Sequence, residues 1–299
     1  MIYSYLTSRK QRVKIKSTYS SWLDVKSGVP QGSVLNPLLF NVFINDIFYA
    51  IEASEICNFA DDNTINALSH DVESMIAKLE IDLYYILKWF DSNFMVANPT
   101  KFQVMFLGLK KNQNLVLEIN GEAITISKEV KLLGVTIDSK LNFKSHVKAL
   151  CVKTSGKVSA FARVARYLHL QKAKLLYQSL VASTFKYCPL IWLFCGKTAN
   201  ENIDRVHKRA LRVLLDDHES TFEVLLAKNN ETTIHIQNLR VLMIEIYKTL
   251  NCTNSSYMQE CFVRKDTKYD LRTKDLLQIL AAKSIRFGID AIKIRGSLL

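Results

Sequence analysis

The chain has 299 residues, of which 48% are hydrophobic and 23% are charged, a composition that suits a globular core and excludes a disordered protein. This length has room for about two domains. With only 9 glycines and 4 prolines, most of the chain is expected to form regular elements. The net charge of +12 favours a polyanionic partner, although a basic surface kept only for solubility is an alternative.

The positive charge is concentrated in the second half of the chain. Residues 1–150 carry 16 Lys and Arg against 15 Asp and Glu, whereas residues 151–299 carry 24 against 13. This asymmetry indicates that the second half faces a polyanion, most plausibly a nucleic acid.

Targeting features and cysteines indicate the compartment. No secretory signal opens the sequence, and the longest apolar stretch, residues 188–196, is too short to span a bilayer. We therefore expect an intracellular protein, nuclear or cytoplasmic, with no membrane partner. The six cysteines have neither C-x-x-C pairs nor histidines at zinc spacing, so we expect reduced, buried thiols at positions 57, 151, 188, 195, 252 and 261.

The first half of the chain is predicted to mix strands and helices. Residues 10–16 alternate basic and other side chains, which predicts a strand with one cationic side. A Gly- and Pro-containing loop at 28–33 leads into an apolar helix over 35–53, and residues 69–95 carry the clearest helical stripe. Further strands are predicted at 22–27, 103–107, 115–119, 123–126 and 130–137, with an Asn-Gly hairpin turn at 120–121.

Two adjacent carboxylates, Asp61 and Asp62, lie between two short apolar segments. Turn-forming residues flanked by Ile, Phe and Thr predict a tight β-hairpin with both carboxylates at its tip. Adjacent carboxylates repel each other unless a cation neutralises them, and Mg²⁺ prefers one or two carboxylates plus substrate phosphates. A plain solvated turn is the simpler alternative.

Helical periods dominate beyond residue 142. Helices are predicted at residues 143–167, 171–185, 200–215, 221–228 and 236–250. The boundary between a mixed α+β part and a basic helical part is therefore expected near residues 138–145.

Four motifs occur in a fixed order. They are Gly-Val-Pro-Gln-Gly-Ser at 28–33, Phe-Ala-Asp-Asp at 59–62, Asn-Pro-Thr-Lys at 98–101 and Leu-Leu-Gly-Val-Thr-Ile-Asp at 132–138. This order resembles the reverse transcriptases of non-LTR retrotransposons, the LINE-type elements of the jockey kind. The resemblance runs over nearly the whole chain and includes residues 141–146 and 203–212.

The resemblance implies an α+β fold. Residues 1–140 would form a partial right-hand polymerase palm and fingers, an antiparallel sheet with packed helices, and residues 141–299 a basic, mainly helical, thumb-like region. The implied activity is RNA-directed DNA synthesis from an RNA template, a DNA primer and dNTPs. The complete family site holds two Mg²⁺ or Mn²⁺ ions.

By the same resemblance, Asp61 and Asp62 would be the catalytic metal ligands. The resemblance also implies a nucleotide and template pocket formed by Pro30, Gln31, Gly32 and Lys101, and a primer grip formed by Leu133 and Gly134. Together with the charge pattern, it implies that the nucleic-acid backbone is contacted by Arg205, Lys208, Arg209 and Arg212. The alternatives are an ordinary helix N-terminus at Gly32, a solvated Lys101, a strand bulge at Gly134 and a solvated basic helix face.

The chain also departs from the family pattern. A further palm carboxylate lies upstream of the 28–33 loop in this family, and the 27 residues before that loop contain Asp24 as their sole acid, in a segment that does not match. We expect a piece of a transposon reading frame, cut at both ends and inactive as a polymerase. A non-catalytic nucleic-acid-binding remnant is the alternative, and an unrelated α+β protein with chance motifs is a third.

Overall fold

The computed structural model describes residues 2–30, 32–108, 116–119, 121–259, 262 and 277. The predictions for Gln31, Asn120 and Cys261 lie outside these residues. The chain divides into two compact units, a first unit of residues 1–104 with 114–126 and a second unit of residues 105–113 with 127–299. A division into functional domains at residue 140 stays a prediction.

In its described residues, the first unit combines three helices with four antiparallel strand pairs, β1 with β4, β2 with β3, β5 with β6 and β7 with β8. A 3₁₀ segment, Asn45–Ala50, follows α2, and a second, Pro99–Lys101, follows α3. Its helices and strands are α1 Ile2–Leu6, β1 Arg9–Gln11, β2 Lys14–Ile15, β3 Thr18–Tyr19, β4 Leu23–Val25, α2 Asn36–Ile44, β5 Glu55–Phe59, β6 Asp62–Asn66, α3 Val72–Ser92, β7 Val116–Ile119 and β8 Glu122–Thr125.

Helix α3 confirms the clearest sequence pattern of the first half. Asp71 caps it, because its two carboxylate oxygens accept the backbone N–H groups of Glu73 at 2.9 Å and Ser74 at 3.0 Å. One face of the helix buries Ile86 in a hydrophobic cluster with Ile44 and Ile47. Helix α2 is shorter than predicted, since its chain tightens into the 3₁₀ segment after Ile44.

The second unit is a helical body preceded by one hairpin. Helices α4 and α8 each bury one face and pack against each other, and a π-helical segment, Gln178–Ala182, joins α5 to α6. Its elements are β9 Glu129–Leu132, β10 Val135–Asp138, α4 Lys144–Ala165, α5 Leu170–Tyr177, α6 Ser183–Phe185, α7 Pro189–Trp192, α8 Lys197–Leu215, α9 Phe222–Asn229, α10 Ile234–Leu250 and α11 Ser256–Gln259.

These elements confirm the predicted α+β class and the five long helical segments of the second half. Three strand predictions were wrong in whole or in part. Residues 10–16 contribute to two short strands, β1 and β2, with different partners, rather than to one strand. Residues 130–137 form the β9–β10 hairpin rather than one strand, because Leu133 and Gly134 take positive φ angles of 47° and 85° and reverse the chain. In residues 103–107 the structure has only an isolated bridge from Val104 to Ile126.

The cysteine prediction was correct only in part. The five described cysteines are free, and Cys195 is buried, but Cys57 and Cys252 are exposed. Burial raises the pKa of the Cys195 thiol to about 11. No helix in the described ranges has the length and apolar character needed to cross a bilayer.

A buried carboxylate links the β9–β10 hairpin to the helical body. Asp138, at the end of β10, accepts the backbone N–H groups of Lys140 at 3.0 Å, Asn142 at 3.1 Å and Phe143 at 2.7 Å. These bonds satisfy amides of the tight turn that enters α4. They explain why a short acidic side chain follows the apolar run at 132–137.

A polar triad of the buried Tyr177 and His207 with the partly buried Glu231 joins α5, α8 and the segment between α9 and α10. The Tyr177 hydroxyl donates to Oε2 of Glu231 at 3.0 Å and lies 3.1 Å from Nε2 of His207, which itself lies 3.2 Å from the same carboxylate oxygen. Burial alone would raise the pKa of Glu231, but hydrogen bonds and charge from His207, with the Tyr177 hydroxyl, hold that pKa below its ordinary value.

We expect Glu231→Gln to weaken the pH dependence of stability. A carboxylate whose folded pKa is lowered contributes stability above its unfolded pKa of 4.5, and that contribution is lost as the pH falls through the folded pKa. The variant should lose about 1–2 kcal/mol at neutral pH and less under acid conditions. Urea unfolding followed by helical circular dichroism measures this difference.

The matched control for this prediction is Glu201→Gln, because Glu201 is an exposed carboxylate on α8. It should leave both the unfolding free energy and its pH dependence unchanged. A Glu231→Gln variant that tracks the wild type at every pH would contradict the prediction.

Candidate active site

The two adjacent carboxylates lie at the tip of a β-hairpin. Strands β5 and β6 pair from Glu55 opposite Asn66 to Phe59 opposite Asp62, which leaves a two-residue turn of Ala60 and Asp61. Ala60 has a positive φ of 54°, the conformation that a tight hairpin turn requires. Asp61 and Asp62 are both exposed, so the predicted hairpin with carboxylates at its tip is confirmed as a structural element.

The opposite end of the hairpin is anchored by apolar packing. Ile56 pairs with Ile65 across the strands, and both pack against the cluster formed by Ile44, Ile47 and Ile86. Because side chains alternate between the faces of a strand, this contact fixes which residues face inward. The hairpin therefore presents its tip from a supported base.

Helix α3 also holds the segment that enters the hairpin. Asp82 is fully buried, and its Oδ1 accepts the backbone N–H groups of Glu52 at 3.1 Å and Ala53 at 3.3 Å. A buried carboxylate that accepts two amides forms strong, charge-assisted bonds. These bonds position the chain immediately before β5.

Two asparagines lie next to the tip on the inner face. Asn58 pairs with Asn63 across the strands, and the Asn63 amide nitrogen donates to the backbone oxygen of Asp61 at 3.3 Å. The side-chain oxygens of both asparagines are buried and have no hydrogen-bond partner among the described residues. Because side chains alternate between the faces of a strand, these buried oxygens lie on the opposite face from the Asp62 side chain.

The tip fits a hard divalent cation by the chemistry of its donors. Mg²⁺ prefers oxygen ligands and is commonly held by one or two carboxylates together with water and substrate phosphates. Asp61 and Asp62 provide the two carboxylates. Within the part of the chain that the structure describes, no group of three His, Cys, Asp or Glu side chains is placed to hold a metal ion.

The loop at 28–33 is held at its start by Arg9. The Arg9 guanidinium donates to the backbone oxygens of Ser27, at 3.2 Å, and Gly28. Pro30 is half-buried, and Gly32 is exposed with a φ of 82° and open space where a Cβ would stand. Lys101 is exposed at the end of the Pro99–Lys101 turn.

The Leu133–Gly134 turn lies in the second unit and is held by Tyr187. The Tyr187 hydroxyl donates to the backbone oxygen of Leu133, and a Cβ on Gly134 would stand 3.7 Å from the Tyr187 ring. The turn is therefore fixed at one backbone carbonyl and leaves Leu133 partly exposed.

Helix α8 carries the predicted basic residues on its outer side. Arg205 is exposed and donates to Asn202 at 3.1 Å, and Arg209 is exposed and donates to Ser159 at 3.1 Å. Lys208 and Arg212 are half-buried and flank that exposed pair. The buried face consists of Ile203, His207, Ala210, Leu211 and Leu214.

The structure places Asp61 and Asp62 side by side on one element. Among the described residues, neither Asp61 nor Asp62 forms a hydrogen bond or ion pair with Lys101, Pro30 or Gly32. Sequence reasoning missed the residues that position these segments, Arg9, Asp82 and Tyr187. Each acts on a backbone amide or carbonyl, which leaves no pattern in the sequence.

Comparison with known proteins gives a consistent family. Residues 1–137 match the family described as reverse transcriptase (RNA-dependent DNA polymerase). The probable RNA-directed DNA polymerase from transposon BS of Drosophila melanogaster is 26% identical over 225 residues, which is 71% of this chain and 25% of that protein. The RNA-directed DNA polymerase from mobile element jockey of the same species is 24% identical over 226 residues, covering 71% and 24% respectively.

A third relative comes from another insect. The Pol polyprotein from type-1 retrotransposable element R1 of Bradysia coprophila is 28% identical over 177 residues, which is 56% of this chain and 18% of that protein. The chain spans about a quarter or less of the length of these curated relatives. No solved structure matches it. Residues 1–137 are therefore similar to reverse transcriptases, and the relatives to which the chain is similar are those encoded by non-LTR retrotransposons.

Proposed function

We propose that this chain is part of an RNA-directed DNA polymerase and that Asp61 and Asp62 bind its catalytic divalent cations, Mg²⁺ or Mn²⁺. The observation that carries the proposal is the pair of exposed carboxylates on consecutive residues at the tip of an anchored hairpin. When bound, two such ions stabilise the attacking 3′ oxygen and the leaving phosphate of nucleotidyl transfer. The protein's own contribution is to hold the carboxylates rigidly and leave them unneutralised.

In this proposal residues 1–140 supply palm and fingers elements, and residues 141–299 act as a thumb-like region. The pocket for the template and the incoming dNTP is lined by Pro30, Gln31 and Gly32, with Lys101 directed at the triphosphate. The clamp of Arg9 on the start of the loop supports this role, because a nucleotide pocket requires a fixed backbone.

The Leu133–Gly134 turn is proposed to contact the primer strand. Its support is the hydrogen bond from Tyr187 to the Leu133 oxygen, which holds the turn in one conformation. A glycine at a φ of 85° lets another backbone approach closely. The RNA template and the DNA primer are the nucleic-acid partners of the complete enzyme.

We further propose that the pair is completed by another carboxylate and that this chain alone does not polymerise. Two-metal sites hold both ions between several acidic ligands. The described residues bring no third acidic, histidine or cysteine side chain to the pair. Asp24, the acid nearest the loop, is an exposed partner of Lys10 at 3.8 Å.

A second candidate function, nucleic-acid binding without catalysis, is favoured by helix α8. Arg205 and Arg209 are exposed on the outer side of this helix, in the half of the chain that carries most of the net positive charge. Exposed arginines bind phosphate oxygens with little dependence on sequence. This activity does not require the metal site.

We expect Asp61→Asn and Asp62→Asn to weaken Mn²⁺ binding in the presence of a dNTP by about tenfold or more, because each removes a charged oxygen ligand. Electron paramagnetic resonance of free Mn²⁺ measures the bound fraction. The matched control is Asp91→Asn, an exposed carboxylate in the same unit. Equal binding by all four proteins would contradict the metal site.

We expect the wild-type chain to incorporate no nucleotide on poly(rA)/oligo(dT) with Mg²⁺ or Mn²⁺, because its carboxylate pair is incomplete. A primer-extension assay measures this, with Asp61→Asn as the reference for background. Incorporation by the wild type that disappears in Asp61→Asn would contradict the incomplete site and establish a working polymerase.

We expect the Arg205→Ala, Arg209→Ala double variant to bind single-stranded RNA with a smaller salt dependence. Each lost phosphate contact lowers the slope of log K against log salt by about 0.7. The Lys153→Ala, Lys172→Ala double variant removes the same charge from exposed positions of α4 and α5, outside α8, and is the control. Identical slopes for the two double variants would contradict a specific role for α8.

A further inference from the structure

The segment of residues 9–25 forms a continuous hairpin with a shift in register. Gln11 pairs with Leu23 in the outer part, whereas Lys14 pairs with Tyr19 in the part next to the turn. The extra residue lies at Ser21–Trp22, next to the inner pair in which Ser20 exchanges hydrogen bonds with Val13. Such a bulge increases the local twist and changes the direction of neighbouring side chains.

The bulge brings cations and aromatic rings together on one face. The Arg12 guanidinium lies 3.9 Å from the centre of the Tyr19 ring and 4.5 Å from that of the Trp22 ring. The Lys14 ammonium lies 5.2 Å from the Tyr19 ring. We call this surface, with Lys10, the cation–aromatic face.

The cation–aromatic face is open to solvent. Trp22 is 57% exposed and Tyr19 is 45% exposed, and Lys10, Arg12 and Lys14 are all exposed. Contiguous exposed apolar surface bordered by polar residues often marks an interaction site. The cation–π contacts nevertheless hold the side chains in defined positions, so binding would cost little side-chain entropy.

The charge of the face favours a polyanion. Among the described residues, Asp24 is the acid that forms an ion pair with this face: it lies opposite Lys10, and the exposed pair is 3.8 Å apart. Arg12 and Lys14 are engaged with rings rather than with carboxylates. Arg12 and Lys14 are therefore not neutralised by a carboxylate and can contact phosphates. The neighbouring rings and the guanidinium plane can stack on bases.

We propose that the cation–aromatic face binds a single-stranded polynucleotide, with unpaired bases stacked on Tyr19 and Trp22 and phosphates contacted by Arg12 and Lys14. Alternating cations and stacking rings are the usual composition of single-strand binding surfaces. A duplex would keep its bases paired and offer no ring faces to these side chains. This inference rests on the proposed function only because both name a nucleic acid as the ligand. The binding face itself does not include Asp61 or Asp62.

The test compares two double variants of the full chain. We expect Tyr19→Ala with Trp22→Ala to raise the dissociation constant for a short labelled oligo(U) or oligo(dT) by about tenfold or more, as measured by fluorescence anisotropy. The control is Tyr49→Ala with Phe94→Ala, which removes two rings that are 86% and 97% exposed in the same unit. The control should bind like the wild type, and duplex RNA should bind the two double variants equally.

A second readout detects stacking directly. Of the three tryptophans, Trp89 packs partly buried in the α3 cluster and Trp192 is buried, so Trp22 is the one open to a base. Oligo(U) should quench the tryptophan emission of the wild type, and Trp22→Phe should abolish the quenching while keeping most of the affinity.

The outcomes separate this inference from the proposed function. Oligo(U) affinity within about twofold of the wild type in the Tyr19, Trp22 variant, or an equal loss in the control, would overturn the face as a binding site. If the oligo(U) affinity instead falls in the Arg205, Arg209 variant, the proposed nucleic-acid binding by α8 is supported and the cation–aromatic face is not needed for it. An equal loss for duplex RNA would overturn the single-strand assignment, and no binding by the wild type would overturn both proposals.

Discussion

The apolar contact beneath the β5–β6 hairpin is the constraint on which the candidate site depends. Ile56 and Ile65 form a cross-strand pair that packs against Ile86 of α3. A strand has a period of two, so a slip of one residue would exchange these side chains for outward ones and expose them. The same register that buries the isoleucines therefore places Asp61 in the turn and Asp62 at the first paired position. Packing at one end of the hairpin determines chemistry at the other.

The helices were predictable because their signal is repeated along each element. Helix α3 and the long helices of the second unit each bury one face, and that face is visible as a stripe of apolar residues. The β9–β10 hairpin was not predictable in the same way. Its turn contains Leu133 at a positive φ, where glycine or asparagine would have been expected, and a hydrogen bond from Tyr187 on a distant segment stabilises it. A long-range contact overrides the local preference, and it leaves no periodic trace.

In the candidate site, too, the features set by local sequence were predictable and those set by long-range contacts were not. The sequence places Asp61 and Asp62 at a hairpin tip, because turn chemistry and the flanking strands are local properties. It does not reveal that Arg9 holds the start of the 28–33 loop or that Asp82 holds the entry to β5. Both residues bind backbone atoms, and any donor or acceptor that reached those atoms would serve. The cationic side of residues 10–16 was visible, but its combination with Tyr19 and Trp22 depends on a bulge that the pattern does not encode.

The carboxylates at the hairpin tip form no ion pair among the described residues, and their charge affects how the tip can interact with nucleic acid. Among the described residues, Asp217 is paired with Lys228 and Glu231 with His207, whereas no cation neutralises Asp61 or Asp62. A chain with a net charge of +12 has many cations that could have served. An unneutralised acidic pair repels the phosphates of any nucleic acid that the basic surfaces attract. A divalent ion at the tip would reverse that local field, because a bound cation is the largest charge in such a site. With a metal ion bound, the tip would attract phosphates as the basic surfaces do. Without a metal ion, its two carboxylates would repel nucleic acid.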